Sequence, residues 1–378
     1  MAMCVGLLIA AEFMPVSLLT PIATDLHASN GLVGQAISVS GLFAVISSLL
    51  IAGAVARWDR RHVLLGLTLS MLVSLLLIAA APNFSVLMTA RALLGVTIGG
   101  FWALAMATIM RLVPAHSLPK ALGVLYTGNA VAVAFAAPIG SYLGGLIGWR
   151  GVFWALLPLV IVNLLWQWRS LPSMPAQAHS TARRVTVFGL LRRRNVAFAM
   201  LGVMLSFAGA FSTFTYLRPF LEIRTGVDLS QLSLLLLGLG LAGFVGTYGA
   251  SALLGRHLYR LLALLPLALA VTTLAFLWLG HRLWPAALLL VVWGALNAAI
   301  PVAWSTWLAQ GIADEPDAGG GLMVAAIQLA IMLGAGLGGV LLDHLSLSAT
   351  WLGGALMLLL AALVVGSGRR LRPAAATL

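Results

Sequence analysis

The chain has 378 residues, of which 62% are hydrophobic and only 8% charged, against the quarter or so that a soluble globule carries. That composition excludes a soluble enzyme or binding module and predicts an all-α membrane protein with many spans. The net charge of +12 would suit nucleic acid, but the basic residues fall in short loops on one side of the expected spans, so no nucleic-acid partner is expected.

At about 20 residues per span, twelve helices are predicted. The first six lie near 3–24, 32–56, 62–81, 84–110, 119–144 and 150–170. The second six lie near 196–221, 230–254, 259–279, 283–310, 318–343 and 348–367. Between the sets, 172–195 turns polar and basic and reads as a linker joining bundles 1–171 and 196–378. With Met1 inside, cytoplasmic segments hold sixteen Lys and Arg and the opposite loops hold three, Arg150, Arg224 and Arg282. This asymmetry predicts cytoplasmic termini. No cleavable signal is expected, since the first apolar segment is of span length. The single Cys4 excludes a disulfide framework or thiolate cluster.

Helix one carries Glu12 about ten residues into the span, where an ionisable side chain is costly and marks function by default, or else serves to anchor Arg91. Asp25, at its far end, is the next acid to consider. After helix two come Gly53, Asp59, Arg60 and Arg61, a basic loop that either latches the cytoplasmic side or simply obeys topology. In helix four, Arg91, Gly95 and Trp102 share a face by their spacing. Helix five runs from Gly128 and Asn129 through Pro138, Gly140, Gly144 and Gly145. Its small residues Ala130, Ala134, Ala137, Ser141, Gly145 and Gly148 form one stripe suited to close packing in a membrane.

Helix seven ends in Arg218, which either snorkels to the interface or pairs with Glu222 at i+4. Helix ten aligns Trp293, Asn297, Pro301, Trp304 and Trp307 within an arc of roughly 120°. An Asn and a Pro near mid-span favour a cavity wall over a lipid face. Gln328 in helix eleven joins Trp102, Asn129, Trp293, Asn297 and Trp304 as expected cavity residues. Leu143-Gly144-Gly145 recurs as Leu337-Gly338-Gly339, and Arg61-His62 is echoed by Arg256-His257. Two such repeats suit a transporter with a midplane site. No metal-ligand pair, phosphate loop or nucleophile triad is evident, so neither a cofactor nor an enzyme is expected.

The helix-five run from Gly128 to Gly145 followed by Gly148-Trp149-Arg150 resembles the antiporter motif of the major facilitator superfamily. Arg91 to Gly95 resembles its helix-four motif, implicated in proton transfer. Glu12 to Pro15 with Thr20-Pro21 and Asp25 resembles helix one of its efflux branch, most like purine ribonucleoside efflux permeases and close to sugar efflux permeases. The loop departs from the pattern, with Ala56 where the family has an acid and Asp59 where it has glycine. The resemblance implies a twelve-helix, two-bundle transporter in a bacterial inner membrane. It implies export of a small neutral solute against protons, with sugar or drug antiport and uncoupled facilitation as alternatives. A monomer in the bilayer is expected.

Overall fold

The computed structural model describes residues 1–55, 57–114, 118–175, 187–312 and 314–372. Unit one, Met1–Ala182, contains α1 (Ala2–Ser17), α2 (Leu19–Asp25), α3 (Asn30–Ala54), α4 (Arg60–Ala79), α5 (Phe84–Leu112) and α6 (Leu118–Ser170). Unit two, Arg183–Leu378, contains α7 (Val187–Leu190), α8 (Arg194–Thr215), α9 (Leu217–Phe220), α10 (Leu229–Leu279), α11 (Leu283–Gly311), α12 (Pro316–His344) and α13 (Leu347–Val365). The division falls within the predicted linker, whose residues 176–186, Arg183 and Arg184 among them, lie outside the described ones.

Twelve spans emerge once the long helices are divided. Ten helices among the described residues are long and apolar enough to cross a membrane, and the bent pair α1 and α2 adds an eleventh. One of the ten, Thr127–Ser170, has 44 residues, about 66 Å of helix, twice the hydrocarbon thickness. Gly148 divides it at φ 73° and ψ 162°, a conformation closed to residues with a Cβ, and so makes the predicted turn between helices five and six without leaving a loop. In α10 the break falls at His257, with φ −130° and ψ 25°.

The first predicted span is not straight. Its two pieces meet at 67° around Leu18. Pro21 explains the position: it has no N–H for the carbonyl of Ser17 four residues back, and its ring crowds that carbonyl. Elsewhere the helix starts follow local chemistry. The side chains of Asp59, Asn83, Asp228 and Ser346 cap α4, α5, α10 and α13, accepting from backbone amides of the first turn.

Each unit packs its spans in a related order. In unit one the second span lies on the fourth, α3 on α5, and the first on the fifth, α1 on α6. In unit two the second lies on the fourth, α10 on α11, and the first on the fifth, α8 on α12. The pseudo-symmetry read from faint sequence echoes is therefore a repeat of pairing order within two six-span bundles.

Candidate functional site

Arg91 is the organising residue of unit one. It is fully buried on α5, and its guanidinium joins three helices by main-chain carbonyls. Nε donates to Ala36 on α3 at 3.1 Å, Nη1 to Ala11 at 2.9 Å and Nη2 to Glu12 at 3.2 Å, the last two on α1. One of these acceptors is available because of the sequence. Pro15, four residues after Ala11, has no N–H to offer the Ala11 carbonyl, and Arg91 fills that vacancy. The arginine is thus fixed against the backbone of Glu12, itself only 3% exposed.

The register of α3 on α5 sets this geometry. Arg91, Gly95 and Gly99 follow at intervals of four on α5, and Ala36, Ser40 and Ala44 at the same interval on α3. Arg91 bonds the Ala36 carbonyl, while Gly95 and Gly99 lie so close to the Ser40 and Ala44 carbonyls that a Cβ on either glycine would overlap them. Close backbone approach through small residues is how membrane helices pack tightly. Trp102, further along α5, is half-buried.

The glycines of α6 act on α1, with a different choice of residues from the predicted stripe. A Cβ on Gly128 would strike the Ala2 carbonyl, one on Gly140 would crowd Ser17 and Met14, and one on Gly144 would strike Leu18. Ala134, Ala137 and Ser141 are buried, as is Pro138, but Gly145 and Gly148 are exposed, so the stripe ends before them. The seam follows Gly140 and Gly144 because the bend at Leu18 carries α1 and α2 across α6. Asn129 is half-buried beside Gly128.

Asp25 lies at the far end of the first span, as expected. It stands at the end of α2 in an ion pair with Arg150, the two side chains 44% and 34% exposed, and also accepts from Trp149 Nε1 at 3.3 Å. Arg150 in turn donates to the Ala81 carbonyl at 2.6 Å and lies over the Trp149 ring. This cluster ties three segments together at the end of the bundle, away from Arg91. Exposed ion pairs contribute about 0–1 kcal/mol, so Asp25→Asn should leave transport within about twofold of the parent in a vesicle assay.

At the opposite end, Asp59 accepts from the Arg61 amide at 2.8 Å, the Met174 amide at 2.9 Å and the Ser173 hydroxyl at 2.5 Å. The Ser173 hydroxyl, ahead of the two amides, holds its carboxyl below the ordinary range. The Arg60 amide donates to the Met174 carbonyl at 3.0 Å, and Arg61 Nη2 to that of Trp168 at 2.5 Å. The loop that begins after Gly53 and α3 therefore fastens the end of α6 and residues 173–174. Ala56 lies outside the described residues.

In unit two, Trp293 is buried, donates to Thr273 Oγ1 at 3.2 Å and stacks on Phe214 of α8, centroids 6.1 Å apart and planes 8° from parallel. Phe214, half-buried, was missed from sequence, where only its i, i+3 relation to Phe211 gave a signal. Asn297 is half-buried one turn from Trp293, and Pro301 leaves its main-chain carbonyl without a helical donor. Gln328 is 6% exposed on α12.

Trp304 departs from the expected cavity wall, and Arg218 takes one of its two expected roles. Trp304 does not stand as an open wall: it is 1% exposed, its ring edge set against Gly202 of α8 and its indole in an edge-to-face pair with Trp307. The missing side chain at Gly202 makes room for the indole, so Trp304 is core. Arg218 does not snorkel but pairs with Glu222, the second of its two expected roles. It is 7% exposed and bonds Glu222 at 2.7 Å, because the helical path continues through Leu221–Thr225 and keeps the i, i+4 spacing.

The comparisons agree with this architecture. A family model described as Major Facilitator Superfamily matches residues 1–318. The transcription regulatory protein OpdE of Pseudomonas aeruginosa is 47% identical over 378 residues, 99% of this chain and 94% of its own length. The purine ribonucleoside efflux pump NepI of Salmonella enteritidis is 42% identical over 373 residues, 98% of this chain and 93% of its own. Among solved structures, an inward-facing bacterial homologue of the human lysosomal transporter Spinster superposes with TM-score 0.80 at 16% identity, covering 97% of this chain and 95% of that one.

Proposed function

The chain belongs to the Major Facilitator Superfamily, and from that premise we propose that it exports purine ribonucleosides, or neutral solutes of that shape, in exchange for protons. The observation that carries the coupling is Arg91, fully buried within α5 and bonded to the backbone of Glu12. A carboxyl in an apolar span favours its neutral form, and a guanidinium beside it favours the carboxylate. Movement of α1 against α5 changes that balance, so Glu12 takes up a proton on one side and releases it on the other. The close packing of α1 on α6 serves the same cycle by excluding water from the seam.

The substrate reading rests on the 42% identity to the Salmonella nucleoside pump over nearly the whole chain. Phe214, half-buried and backed by the buried Trp293, and separately Trp102 of unit one, half-buried, each offer ring surface to a base, and such stacking is worth about 1–3 kcal/mol in nucleic-acid proteins. Asn129, Asn297 and Gln328 offer amide donors and acceptors to base and ribose edges. Both termini are cytoplasmic in this reading, the membrane is the bacterial inner membrane and the working unit is a monomer. The Pseudomonas relative is known as a transcription regulatory protein. Export of an inducing metabolite would produce an effect on transcription, so both readings meet in a transport assay.

Inverted vesicles with an acid lumen test the proposal. Purine nucleosides should accumulate in parental vesicles, and Glu12→Gln should lower gradient-driven accumulation at least about tenfold while leaving nucleoside binding intact. Accumulation of a sugar or a lipophilic cation in place of nucleosides would replace the substrate. Parental accumulation by Glu12→Gln would move the proton site elsewhere.

A further inference from the structure

At the end of unit two where α8 begins and α13 stops, guanidinium groups gather on aromatic rings. Arg194 lies 5.7 Å and Arg370 lies 5.2 Å from the centroid of one ring, that of Phe198, and Arg372 lies 5.2 Å from that of Tyr259. Both distances to Phe198 are within cation–π range, so a single ring holds two exposed guanidiniums.

The segment that carries Arg370 and Arg372 is fastened. Trp307 Nε1 donates to the Leu371 carbonyl at 3.0 Å, Leu371 is fully buried, and Gly368, at φ 73°, turns the chain against Tyr259. The nearby carboxylate of Asp314 is already engaged, by both terminal nitrogens of Arg193 at 3.0 and 2.6 Å.

Directly along the helices from these charges lies exposed apolar surface. Arg194, Phe198 and Leu201 follow at i, i+4 and i+7 on one face of α8, and Leu201 is exposed. On α13, Leu352, Leu356, Leu360 and Leu363 form an exposed row ending one turn before the Arg370 segment. The two helices touch closely where Gly209 meets Gly354. A pair of guanidiniums above two apolar helix faces matches an amphiphile with a negative head.

We propose that Arg194 and Arg370, braced by Phe198, bind the phosphodiester of an anionic glycerophospholipid whose acyl chains lie along Leu201 of α8 and the leucine row of α13. The phosphodiester offsets the repulsion between the two guanidiniums and accepts hydrogen bonds from both. A zwitterionic lipid brings an ammonium to the same cations and is disfavoured. Basic groups at the ends of spans recognise anionic headgroups in this way.

The test is electron paramagnetic resonance with spin-labelled phosphatidylglycerol and phosphatidylcholine, on the full chain in phosphatidylcholine bilayers. The parent should prefer phosphatidylglycerol, and the double variant Arg194→Gln, Arg370→Gln should lose that preference by about fivefold or more, since each basic group near a membrane contributes roughly that factor. Arg224→Gln, at the opposite end, should change nothing. Phe198→Leu, which keeps apolar bulk but frees the two guanidiniums, should give an intermediate loss, and it carries the test if the double variant does not fold. An unchanged preference in a folded double variant, or in Phe198→Leu where that carries the test, overturns the site. Loss of the parental preference on adding soluble glycerophosphoglycerol would assign the site to a free phosphodiester and overturn the lipid.

Discussion

Arg91→Leu should destroy both transport and most of the folded protein, and Pro15→Ala introduced alongside it should restore part of the fold but none of the transport. The removed guanidinium makes three hydrogen bonds at 2.9–3.2 Å to carbonyls of α1 and α3. Interhelical hydrogen bonds in membranes average about 0.6 kcal/mol, and those to charged groups reach about 1.5–3 kcal/mol. Three bonds are therefore worth between about 2 and 9 kcal/mol, and even the lower figure lowers the yield of a marginally stable protein several-fold. Leucine is shorter than arginine, so a void where the guanidinium sat adds to the loss, and the stranded carbonyls are the part of the loss that a second change can repair.

Of those carbonyls, the one at Ala11 has no second donor in its helix because of Pro15. Alanine at 15 returns an N–H to it and recovers about 1 kcal/mol. Thermal melting of the purified variants measures this directly. If Pro15→Ala fails to raise the melting temperature of Arg91→Leu, the stranded carbonyl is not the cause. Arg91→Lys should sit between the extremes, since an ammonium keeps the charge but lacks the planar fork that reaches two helices at once.

The spans and their division into two sets were legible because length and apolarity are counted along the chain, without reference to partners. Glu12 and Arg91 could be placed at similar depth by the same arithmetic. That Arg91 bonds the backbone of α1 could not be read, although half of the signal, Pro15 four residues after Ala11, stood in the sequence. The other half is which helix faces that carbonyl, a tertiary fact. Trp304 was misplaced, and the choice between the two roles of Arg218 left open, for the same reason. Periodicity gave Trp304 a face but not the hole at Gly202 that receives it, and Arg218 stands where an interfacial anchor and a buried ion pair have the same spacing. Phe214 meets Trp293 across two helices whose relative register no single stretch encodes.

A leucine at Gly95 should abolish transport and leave little folded protein, and even an alanine there should cost more activity than stability. The Cβ of Gly95 would overlap the Ser40 carbonyl on α3, a backbone atom that cannot swing aside as a side chain can. Overpacking of this kind costs about 1–3 kcal/mol for small additions. For Gly95→Ala the new methyl would start well inside contact distance of the Ser40 carbonyl oxygen, so the backbones of the two helices must part around it. That separation falls one turn from the bond between Arg91 Nε and the Ala36 carbonyl, because Arg91 and Gly95 match Ala36 and Ser40 at the same interval of four. A protein that still melts near the parental temperature should then have lost Arg91 from its seat. Unit two has the same second-to-fourth seam, with Gly246 against the Ala295 carbonyl and Gly294 against that of Leu239. Gly246→Leu should therefore lower folded yield as Gly95→Leu does, whereas Gly246→Ala, far in sequence from any buried arginine of this type, should cost stability and activity in proportion. Gly66→Ala and Gly249→Ala, with nothing within 4 Å of the added carbon, should behave as the parent. The measurement is melting temperature and vesicle transport on the same preparations. Activity that falls in step with stability in Gly95→Ala would show that the α3 and α5 seam only holds the bundle together and does not seat Arg91.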